Sequence, residues 1–413
     1  MTKTRALLVP AYMEQFSCIG TKCEDTCCAG WNVAIDRATY KKYNKVRSDL
    51  KPSLDKYVKR NRSSKSDMDY ARIEMVTGFA CPMLNEEKLC SVQLKLGEDY
   101  LSNVCSTYPR ITNVVNGVFE KSATMSCPEA ARLALLNPNG IEFNEIEESV
   151  EVRNSISKRL STASDQPNGS VTQFFWELRI FSIQVLQNRS YSLAERLIIL
   201  GLFYQKVQTY ISLEQLAQIP DLIASYTNLL QGNGVSDIIN GIPSLSIIQM
   251  ELLKNLADTR VIQGIRSQRY FECYSEFLQG IQYTKEATVE EISSRYQAAY
   301  DNFYLPFMKN NEYVLENYLV NYVYTRLFPL GNGNDVFEDY MMMIIHYAMI
   351  KMHLIGIAGY HKDQFSLEHV IKLIQSFAKT IEHNNSYLRE IRQLLDKNGF
   401  NTMAYMAILI KNN

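Results

Sequence analysis

Cysteine is concentrated at one end of this 413-residue chain, where its chemistry could serve a metal. Cysteine thiolates are soft ligands that select zinc, copper(I) or iron–sulfur clusters. Disulfides are rare in the cytosol, so clustered thiols in a cytosolic protein are more often metal-binding or catalytic. We therefore interpret eight of the nine cysteines as candidate metal ligands: Cys18, Cys23, Cys27, Cys28, Cys81, Cys90, Cys105 and Cys127.

The spacing of these cysteines and the position of the histidines narrow the kind of metal site. The stretch "CIGTKCEDTCC" has neither the C-x2-C knuckles of zinc ribbons nor a C-x3-C-x2-C pattern. All five histidines lie beyond residue 345, which disfavours a mixed cysteine–histidine zinc finger in the cysteine-rich part. An all-thiolate zinc site and an iron–sulfur cluster both remain open, since each uses four cysteines. Adjacent residues of an extended chain point to opposite sides, so we expect different roles for Cys27 and Cys28.

The elements that must position these thiols are short. Asp36 is a plausible N-cap for a helix in "DRATYKKYNKV", and Asn116-Gly117 predicts a tight hairpin between two strand-like runs. From residue 141 onward, one amphipathic helical pattern follows another, and "STASDQPNGS" (161–170) has the composition of a connector. We therefore predict a mainly α protein. A cysteine-rich, metal-bound region with few short strands (1–135) is followed by an all-helical domain (141–413) that would bind the substrate.

Composition and apolar segments predict a cytoplasmic protein. A net charge of -1 argues against a nucleic-acid binder, whose domain would usually be basic. The N-terminal apolar run, Ala6 to Val9, is too short for the core of a signal peptide. Lys351 and two histidines interrupt "MMMIIHYAMIKMHLIGIAGY", which predicts a buried helix rather than a membrane span. Cys273 lies alone on a helical pattern and is interpreted as a small buried hydrophobe.

The cysteine segments resemble a known family. "FSCIGTKCEDTCCAGW", "CPMLNEEKLCSVQLKLGEDYLSNVCSTYPR" and "MSCPEA" are similar to the flagellin lysine-N-methylase (FliB) family. Their cysteine order is also similar to that of a wider group of zinc- or iron-chelating domains. The resemblance is densest over residues 7–130 and returns at "ENYLVNYVYTRLFP" (316–329). No cysteine departs from the family pattern.

The resemblance implies an activity, cofactors and a partner. It implies methyl transfer from S-adenosylmethionine to lysine ε-amines of flagellin by a bacterial cytoplasmic enzyme. It also implies a protein-bound [4Fe-4S] cluster, held by four of the eight cysteines. The cluster's role is open: it could be a structural staple, which we favour, or an iron site that binds the amino and carboxylate groups of S-adenosylmethionine. The alternative function is a non-catalytic iron–sulfur or zinc protein whose helical domain binds a partner.

The polar set within residues 316–326 is the candidate lysine pocket. A lysine amine must lose its proton, bound with a pKa of about 10.4, before it can attack a methyl group. Tyr318 and Tyr322 share one helical face, and Glu316 adds a carboxylate nearby. We propose these three as catalytic candidates, although tyrosines packed at the edge of an amphipathic helix would give the same pattern.

The S-adenosylmethionine site is not located by the sequence. No glycine-rich loop lies between a strand pattern and a helix pattern, and "LLQGNGVSDII" (229–239) is better interpreted as a helix-terminating turn. His346 and His353 are seven residues apart and could line a site, but satisfied core positions are the favoured interpretation. The oligomeric state is likewise not determined.

Overall fold

The chain folds into two compact units in a computed structural model that describes residues 3–76, 79–163, 169–232, 245–333 and 335–412. The cysteine-rich unit comprises Met1–Val114, Val118–Ala130 and Phe143–Lys158. The helical unit comprises Val115–Gly117, Ala131–Glu142 and Arg159–Asn413. Each unit therefore draws on more than one segment of the chain. The predicted domain limits, 1–135 and 141–413, stay predictions.

Two sheets organise the cysteine-rich unit. Its strands are β1 Thr4–Pro10, β2 Ala34–Ile35, β3 Val58–Arg60, β4 Ala71–Ile73, β5 Arg110–Val115, β6 Val118–Ala123, β7 Phe143–Ser149 and β8 Ile156–Leu160. The larger sheet has the order β7-β1-β6-β5-β8, and the smaller has the order β2-β4-β3. β1 runs parallel to β6 and antiparallel to β7, with Leu7 opposite both Phe119 and Ile146. Leu7 and Val9 of β1 are buried, whereas the intervening Leu8 is half-buried, and this alternation fixes the register of the strand.

Two local predictions in this unit are confirmed. Asn116 and Gly117 have φ values of 50° and 84° and connect β5 to β6 as the predicted hairpin turn. The Asp36 side chain accepts a hydrogen bond from the Thr39 amide and caps the helix Arg37–Lys45. Both signals are local, because a turn and a cap depend on neighbouring residues alone.

The smaller sheet packs into a compact core that contains or touches several cysteines. Ile35, Ala71 and Met83 are buried in this core together with Cys81, and Cys28, Cys90 and Cys105 pack against it. The short helices of the same unit are α1 Tyr12–Gln15, α2 Arg37–Lys45, α3 Lys51–Tyr57, α4 Ser91–Leu96 and α5 Asn103–Thr107. The cysteines thus lie in loops and short elements held by a small core of their own.

The helical unit is built from amphipathic and fully buried helices. They follow α6 Pro128–Leu135 in the order α7 Phe175–Leu186, α8 Leu193–Ser212, α9 Ile219–Gln231, α10 Ser246–Ile262, α11 Gln268–Gly280, α12 Val289–Ala299, α13 Leu305–Met308, α14 Tyr313–Arg326, α15 Val336–His361, α16 Leu367–Phe377, α17 Asn385–Lys397 and α18 Met403–Ile410. Two π-helical segments, Tyr300–Tyr304 and Ala378–Glu382, follow α12 and α16. The protein is therefore mainly helical, as predicted.

The central helix of this unit, α15, is buried almost throughout its length. Within the described residues, the stretch Val336–Gln364 is the one helix long and apolar enough to cross a membrane, and its most apolar window is completely buried. It is thus a core helix, as the interrupting Lys351 and histidines predicted. Cys273 on α11 is 1% exposed, which confirms its interpretation as a buried small residue.

One expectation about the helical part needs correction. Residues 143–149 and 156–160 form strands, although helices were predicted from residue 141 onward. β7 and β8 are the two edges of the larger sheet, and their charged residues include the adjacent pairs Glu147-Glu148 and Lys158-Arg159. An edge strand needs no apolar face as strong as that of a central strand, so its periodicity is weak. Residues 164–168 of the predicted connector and residues 233–239 of "LLQGNGVSDII" lie outside the described residues.

Candidate functional site

Six of the eight candidate cysteines line one pocket in the cysteine-rich unit, which we call the cysteine pocket. They are Cys18, Cys23, Cys27, Cys28, Cys90 and Cys127. Phe16, Ile19, Leu89 and Tyr108 give the same pocket an apolar wall, and Arg110 lies at its edge. Residues from positions 16 to 129 thus converge on one small space.

Backbone hydrogen bonds hold two cysteine loops together. The Cys81 amide donates to the Cys28 carbonyl at 2.8 Å, and the Gly30 amide donates to the Phe79 carbonyl at 3.0 Å. The Trp31 indole N–H donates to the Cys27 carbonyl at 2.6 Å, and its ring lies 5.7 Å from that of Tyr108. These bonds fix the backbone on both sides of Cys27 and Cys28 and leave their side chains free to face the pocket.

The expectation for the adjacent cysteines is wrong in its geometry. Both Cys27 and Cys28 line the cysteine pocket, and their sulfurs are 4.0 Å apart. The chain is not extended here but turns at these two residues, so neighbouring side chains are not forced to opposite sides. Cys27 is exposed, whereas Cys28 is half-buried and packs against the small core, so the expectation that their roles differ stays a prediction.

Burial makes these thiols poor acids when no cation is bound. It raises the pKa of Cys81 to about 11, that of Cys127 to about 11 and that of Cys105 to about 12. The Cys105 thiol lies close enough to Cys90 and Cys81 for their charges to raise its pKa further. A bound metal would replace the lost protons, because metal binding couples to thiol deprotonation.

The cysteine thiols are suitable ligands for a soft metal, but their sulfur atoms are not arranged closely enough around one position to bind it. The eight thiols share one region with no histidine, which is the donor chemistry of an all-thiolate zinc or iron–sulfur site. Among the described residues, however, no group of three or more histidine, cysteine, aspartate or glutamate side chains is tight enough to hold a metal ion. The residues fit such a centre by type and location, and ligation would require their side chains to close in.

In the helical unit, the three predicted catalytic residues do not come together. The buried carboxylate of Glu316 binds two arginines, with Oε1 2.8 Å from Arg189 Nη2 and Oε2 2.7 Å from Arg196 Nη1. Tyr318 and Tyr322, on the same helix α14, have other partners. Glu316 thus pairs with two guanidinium groups, while Tyr318 belongs to a different cluster.

That second cluster is centred on Glu382, which the sequence reasoning missed. The Tyr318 hydroxyl donates to Glu382 Oε1 at 2.7 Å, and Arg326 Nη2 lies 3.3 Å from Oε2. We call Tyr318, Arg326 and Glu382 the Glu382 cluster. The Arg326 side chain is 31% exposed, so one edge of the cluster meets solvent while Glu382 and Tyr318 are buried.

The electrostatics of this cluster keep Glu382 ionised. Burial alone would raise the pKa of the carboxyl, but the Arg326 charge and the Tyr318 hydrogen bond hold it below its ordinary value. Burial and the nearby Glu382 charge raise the pKa of Tyr318 well above its ordinary value, so Tyr318 remains a neutral phenol. The arrangement offers a buried anion that could receive a cationic side chain.

Glu382 gives a weak sequence signal because it is an acidic residue near a helix end. It ends the π-helical segment Ala378–Glu382 and lies four residues after the buried Ala378, so helical spacing is compatible with its buried position. An acidic residue beside a helix end is nevertheless normally interpreted as exposed.

The two histidines of α15 differ from one another. His353 is a satisfied core residue, as favoured: Nδ1 contacts the Met349 carbonyl at 2.7 Å and Nε2 contacts the Tyr270 hydroxyl at 3.2 Å. His346 is equally buried, with its ring 5.5 Å from that of Tyr322. Within the described residues its ring nitrogens form no hydrogen bond of normal geometry, although the Met342 carbonyl lies nearby. Burial lowers its pKa to about 4, so the ring is neutral at pH 7.

Comparison with known proteins identifies relatives along most of the chain. The sequence profile of the FliB lysine N-methylase C-terminal domain matches residues 179–409, which include α14 and Glu382. The chain is 21% identical over 392 residues to "Lysine-N-methylase" of Salmonella typhimurium, a match that covers 94% of each chain. It is also 21% identical over 396 residues to "Lysine-N-methylase" of Salmonella choleraesuis, again covering 94% of each chain.

A shorter stretch matches a third relative more strongly. The chain is 33% identical over 139 residues to "Flagellar biosynthetic protein FliU" of Salmonella muenchen. That match covers 33% of this chain and 80% of the relative. No solved structure matches the chain significantly.

Proposed function

The chain belongs to the FliB lysine N-methylase family, and we propose that it transfers a methyl group from S-adenosylmethionine to lysine ε-amines of flagellin. The observation that carries this proposal is the family match over residues 179–409. Two relatives named lysine-N-methylase align with almost the whole chain, and a flagellar biosynthetic protein aligns with a third of it. These names suggest a protein-lysine methyltransferase with a flagellar substrate.

The Glu382 cluster is the proposed lysine site. A lysine arrives as an ammonium group, and the buried Glu382 carboxylate provides the opposite charge that would hold it. Tyr318 fixes the carboxylate through Oε1, and the exposed edge at Arg326 offers an approach from solvent. Tyr322, one helical turn after Tyr318, places an aromatic ring beside this site.

The reaction needs alignment and loss of a proton, and no redox step. After the ammonium loses its proton to solvent, the amine lone pair attacks the sulfonium methyl carbon. The carbon–sulfur bond breaks, its electron pair stays on sulfur, and S-adenosylhomocysteine leaves. A site that holds the amine in line with the methyl group lowers the barrier by supplying the alignment in advance. We assign Glu316 a positioning role, because its ion pairs with Arg189 and Arg196 fix the start of α14.

The cysteine pocket is the proposed place of a [4Fe-4S] cluster. Four of the eight cysteines Cys18, Cys23, Cys27, Cys28, Cys81, Cys90, Cys105 and Cys127 would hold it. When bound, the cluster would supply covalent links between loops that contain little regular structure, which is the role of a structural staple. Zinc bound by the same thiols is the competing occupant.

The proposed location of the reaction is the bacterial cytoplasm, on flagellin before its export. The most apolar window of the helix that could have suggested a membrane protein is completely buried in the helical unit. Nothing in this proposal requires nucleic acid or a membrane.

Anaerobic purification followed by a methylation assay tests the proposal. We expect a brown protein that absorbs at about 400 nm and contains iron and sulfide. Incubation with S-adenosylmethionine and flagellin should add methyl groups to flagellin lysines, detected as added mass in each modified peptide. Iron without methylation would favour a non-catalytic iron–sulfur protein. A colourless zinc protein without methylation would favour a zinc-stabilised binding module.

A further inference from the structure

A second cavity lies within the cysteine-rich unit, whereas the residues of the proposed lysine site belong to the helical unit. It has a volume of about 670 Å³, within the range of roughly 300–1,000 Å³ typical of small-molecule sites. Its lining is almost entirely polar, with Val152 as the single apolar side chain among the described lining residues. We call it the charged cavity; its charged lining residues are Glu98, Asp99, Arg110, Lys121, Glu148, Glu151 and Arg153.

Arg110 links the charged cavity to the cysteine pocket, because it lines both. It is the first residue of β5, and its guanidinium lies 5.0 Å from the centre of the Phe16 ring. Within the described residues, this half-buried guanidinium has neither a hydrogen bond nor an ion pair. A partly buried cation without an anion is costly unless a ligand compensates it.

The other inner charges of the cavity are already occupied. Lys121 forms a short ion pair with Glu148, whose other oxygen accepts from Arg5 Nη2 at 2.7 Å and from Asn154 Nδ2 at 3.0 Å. Arg153 Nη1 donates to the Leu101 carbonyl at 2.7 Å, so that side chain is fixed by neutral oxygens. Arg110 is thus the inner group with unused capacity to bind an anion.

The rim of the cavity carries the opposite charge. Glu98, Asp99 and Glu151 line the cavity and are exposed to solvent. A ligand that places a carboxylate inside and positive groups toward the rim would match this distribution. Inorganic anions would meet the acidic rim unfavourably, and cationic ligands without a carboxylate would leave Arg110 unpaired.

We propose that the charged cavity binds the zwitterionic α-amino acid end of S-adenosylmethionine, with Arg110 as its carboxylate ligand. This inference rests on the proposed methyl transfer. The donor carries one carboxylate and two cationic groups, the ammonium and the sulfonium. Arg110 pairs with the carboxylate in a bidentate fashion, and the rim carboxylates face the cations. A protein ligand for the amino acid end removes the need for an open iron in that role.

Binding of ligand fragments to the anaerobically purified full-length chain tests the proposal. S-adenosylmethionine, S-adenosylhomocysteine and free methionine share the amino acid end, whereas 5′-methylthioadenosine lacks it. We expect Arg110→Gln to weaken binding of S-adenosylmethionine and S-adenosylhomocysteine roughly tenfold to a hundredfold, as loss of a charge-assisted pair predicts. Its affinity for 5′-methylthioadenosine should match that of the wild type. Arg62→Gln, at an exposed arginine of the same unit, is the matched control and should bind as the wild type does.

A second variant, at an acidic residue of the cavity rim, tests the proposal even if Arg110→Gln fails to fold. Glu151 is exposed, so Glu151→Gln should fold normally, and it should weaken S-adenosylmethionine more than S-adenosylhomocysteine, which lacks the sulfonium charge. Unchanged S-adenosylmethionine affinity in the folded variants would overturn the location and leave the proposed function standing. A wild-type chain that binds no S-adenosylmethionine would overturn the location and the proposed function together.

Discussion

At the scale of single residues, the site depends on which charges find partners. Glu316 and Glu382 are both buried glutamates of the helical unit, but their surroundings differ. Glu316 contacts two guanidinium groups, while Glu382 contacts one guanidinium and one phenol. A carboxylate with less compensation retains more capacity to attract a further cation. This difference is why the proposed lysine site is at Glu382.

Removing the charge of Glu382 should impair turnover. We expect Glu382→Gln to lower kcat/KM for flagellin roughly thirtyfold to a hundredfold, since deleting a charged hydrogen-bond partner costs about 2–3 kcal/mol. Tyr318→Phe should have a smaller effect, because it leaves the carboxylate charge in place. The measurement is the rate of methyl incorporation at several flagellin concentrations, with circular dichroism as the check on folding.

Tyr313→Phe is the matched control for the tyrosine variant. Tyr313 begins the same helix α14 but is outside the Glu382 cluster. Its rate should equal that of the wild type. Wild-type rates in a folded Glu382→Gln protein would place the lysine site elsewhere.

At the scale of elements, close backbone contact fixes the helical unit. A Cβ atom on Gly280, the last residue of α11, would lie 1.7 Å from the Gly356 carbonyl oxygen of α15. A Cβ atom on Gly356 would in turn lie 2.5 Å from Cδ2 of the Phe277 ring. The two helices therefore touch through backbone at these glycines. The π-helical segment before α17 ends at Glu382, which accepts a hydrogen bond from Tyr318 on α14 and so links a second pair of elements.

Filling the helix contact should destabilise the protein. Gly280→Ala forces α11 and α15 apart, and we expect a loss of about 1–3 kcal/mol or more in the free energy of unfolding, as for other overpacked contacts. Chemical denaturation of the two proteins measures it. Gly232→Ala is the control, because its new Cβ would meet only ordinary contacts, the nearest at 3.6 Å. Equal stability of Gly280→Ala and the wild type would show that the contact is looser than described.

At the scale of the whole molecule, the two units have different kinds of core. The cysteine-rich unit has a small apolar core and a set of thiols, and a metal bound by those thiols would add to its stability. The helical unit has a large core that includes buried ionisable side chains, among them His346, His353 and Lys351. Such groups make the stability of that unit depend on pH.

Stability should fall as the pH falls from 7 to 5. Burial lowers the pKa of His353 and of His346 to about 4 each. Between pH 6.5 and pH 4 the unfolded chain then binds more protons than the folded chain, so acid favours unfolding. Each histidine should account for a loss of about 2 kcal/mol by pH 5. Lys351, whose pKa burial lowers to about 8, is protonated in both states here and adds nothing.

The variant His353→Gln isolates one of these contributions. Glutamine can donate to the Met349 carbonyl and accept from Tyr270 without titrating. The loss of unfolding free energy between pH 7 and pH 5 should therefore be smaller in the variant, by about 2 kcal/mol. Chemical denaturation of both proteins at the two pH values measures it. An unchanged pH dependence would mean that His353 does not stay neutral in the folded protein.

The sequence by itself determined the features that depend on neighbouring residues or on composition. The Asp36 cap, the Asn116-Gly117 turn, the buried helix around Lys351 and the mainly helical character of the chain depend on neighbouring residues or on periodicity. The eight cysteines and their lack of histidine neighbours are likewise visible in the sequence. The edge strands β7 and β8 were missed because a strand with one neighbour needs little apolar patterning.

Only the tertiary structure decided which distant side chains meet. Tyr318 and Glu382 are 64 residues apart and meet because the helices that carry them pack together. A turn brings Cys27 and Cys28 to the same pocket, although adjacent residues of an extended chain diverge. Arg110 lines two cavities, and among the described residues its guanidinium forms no hydrogen bond or ion pair, a property that no spacing could reveal. Residue type sets the available chemistry, and packing determines which charges are left to bind a ligand.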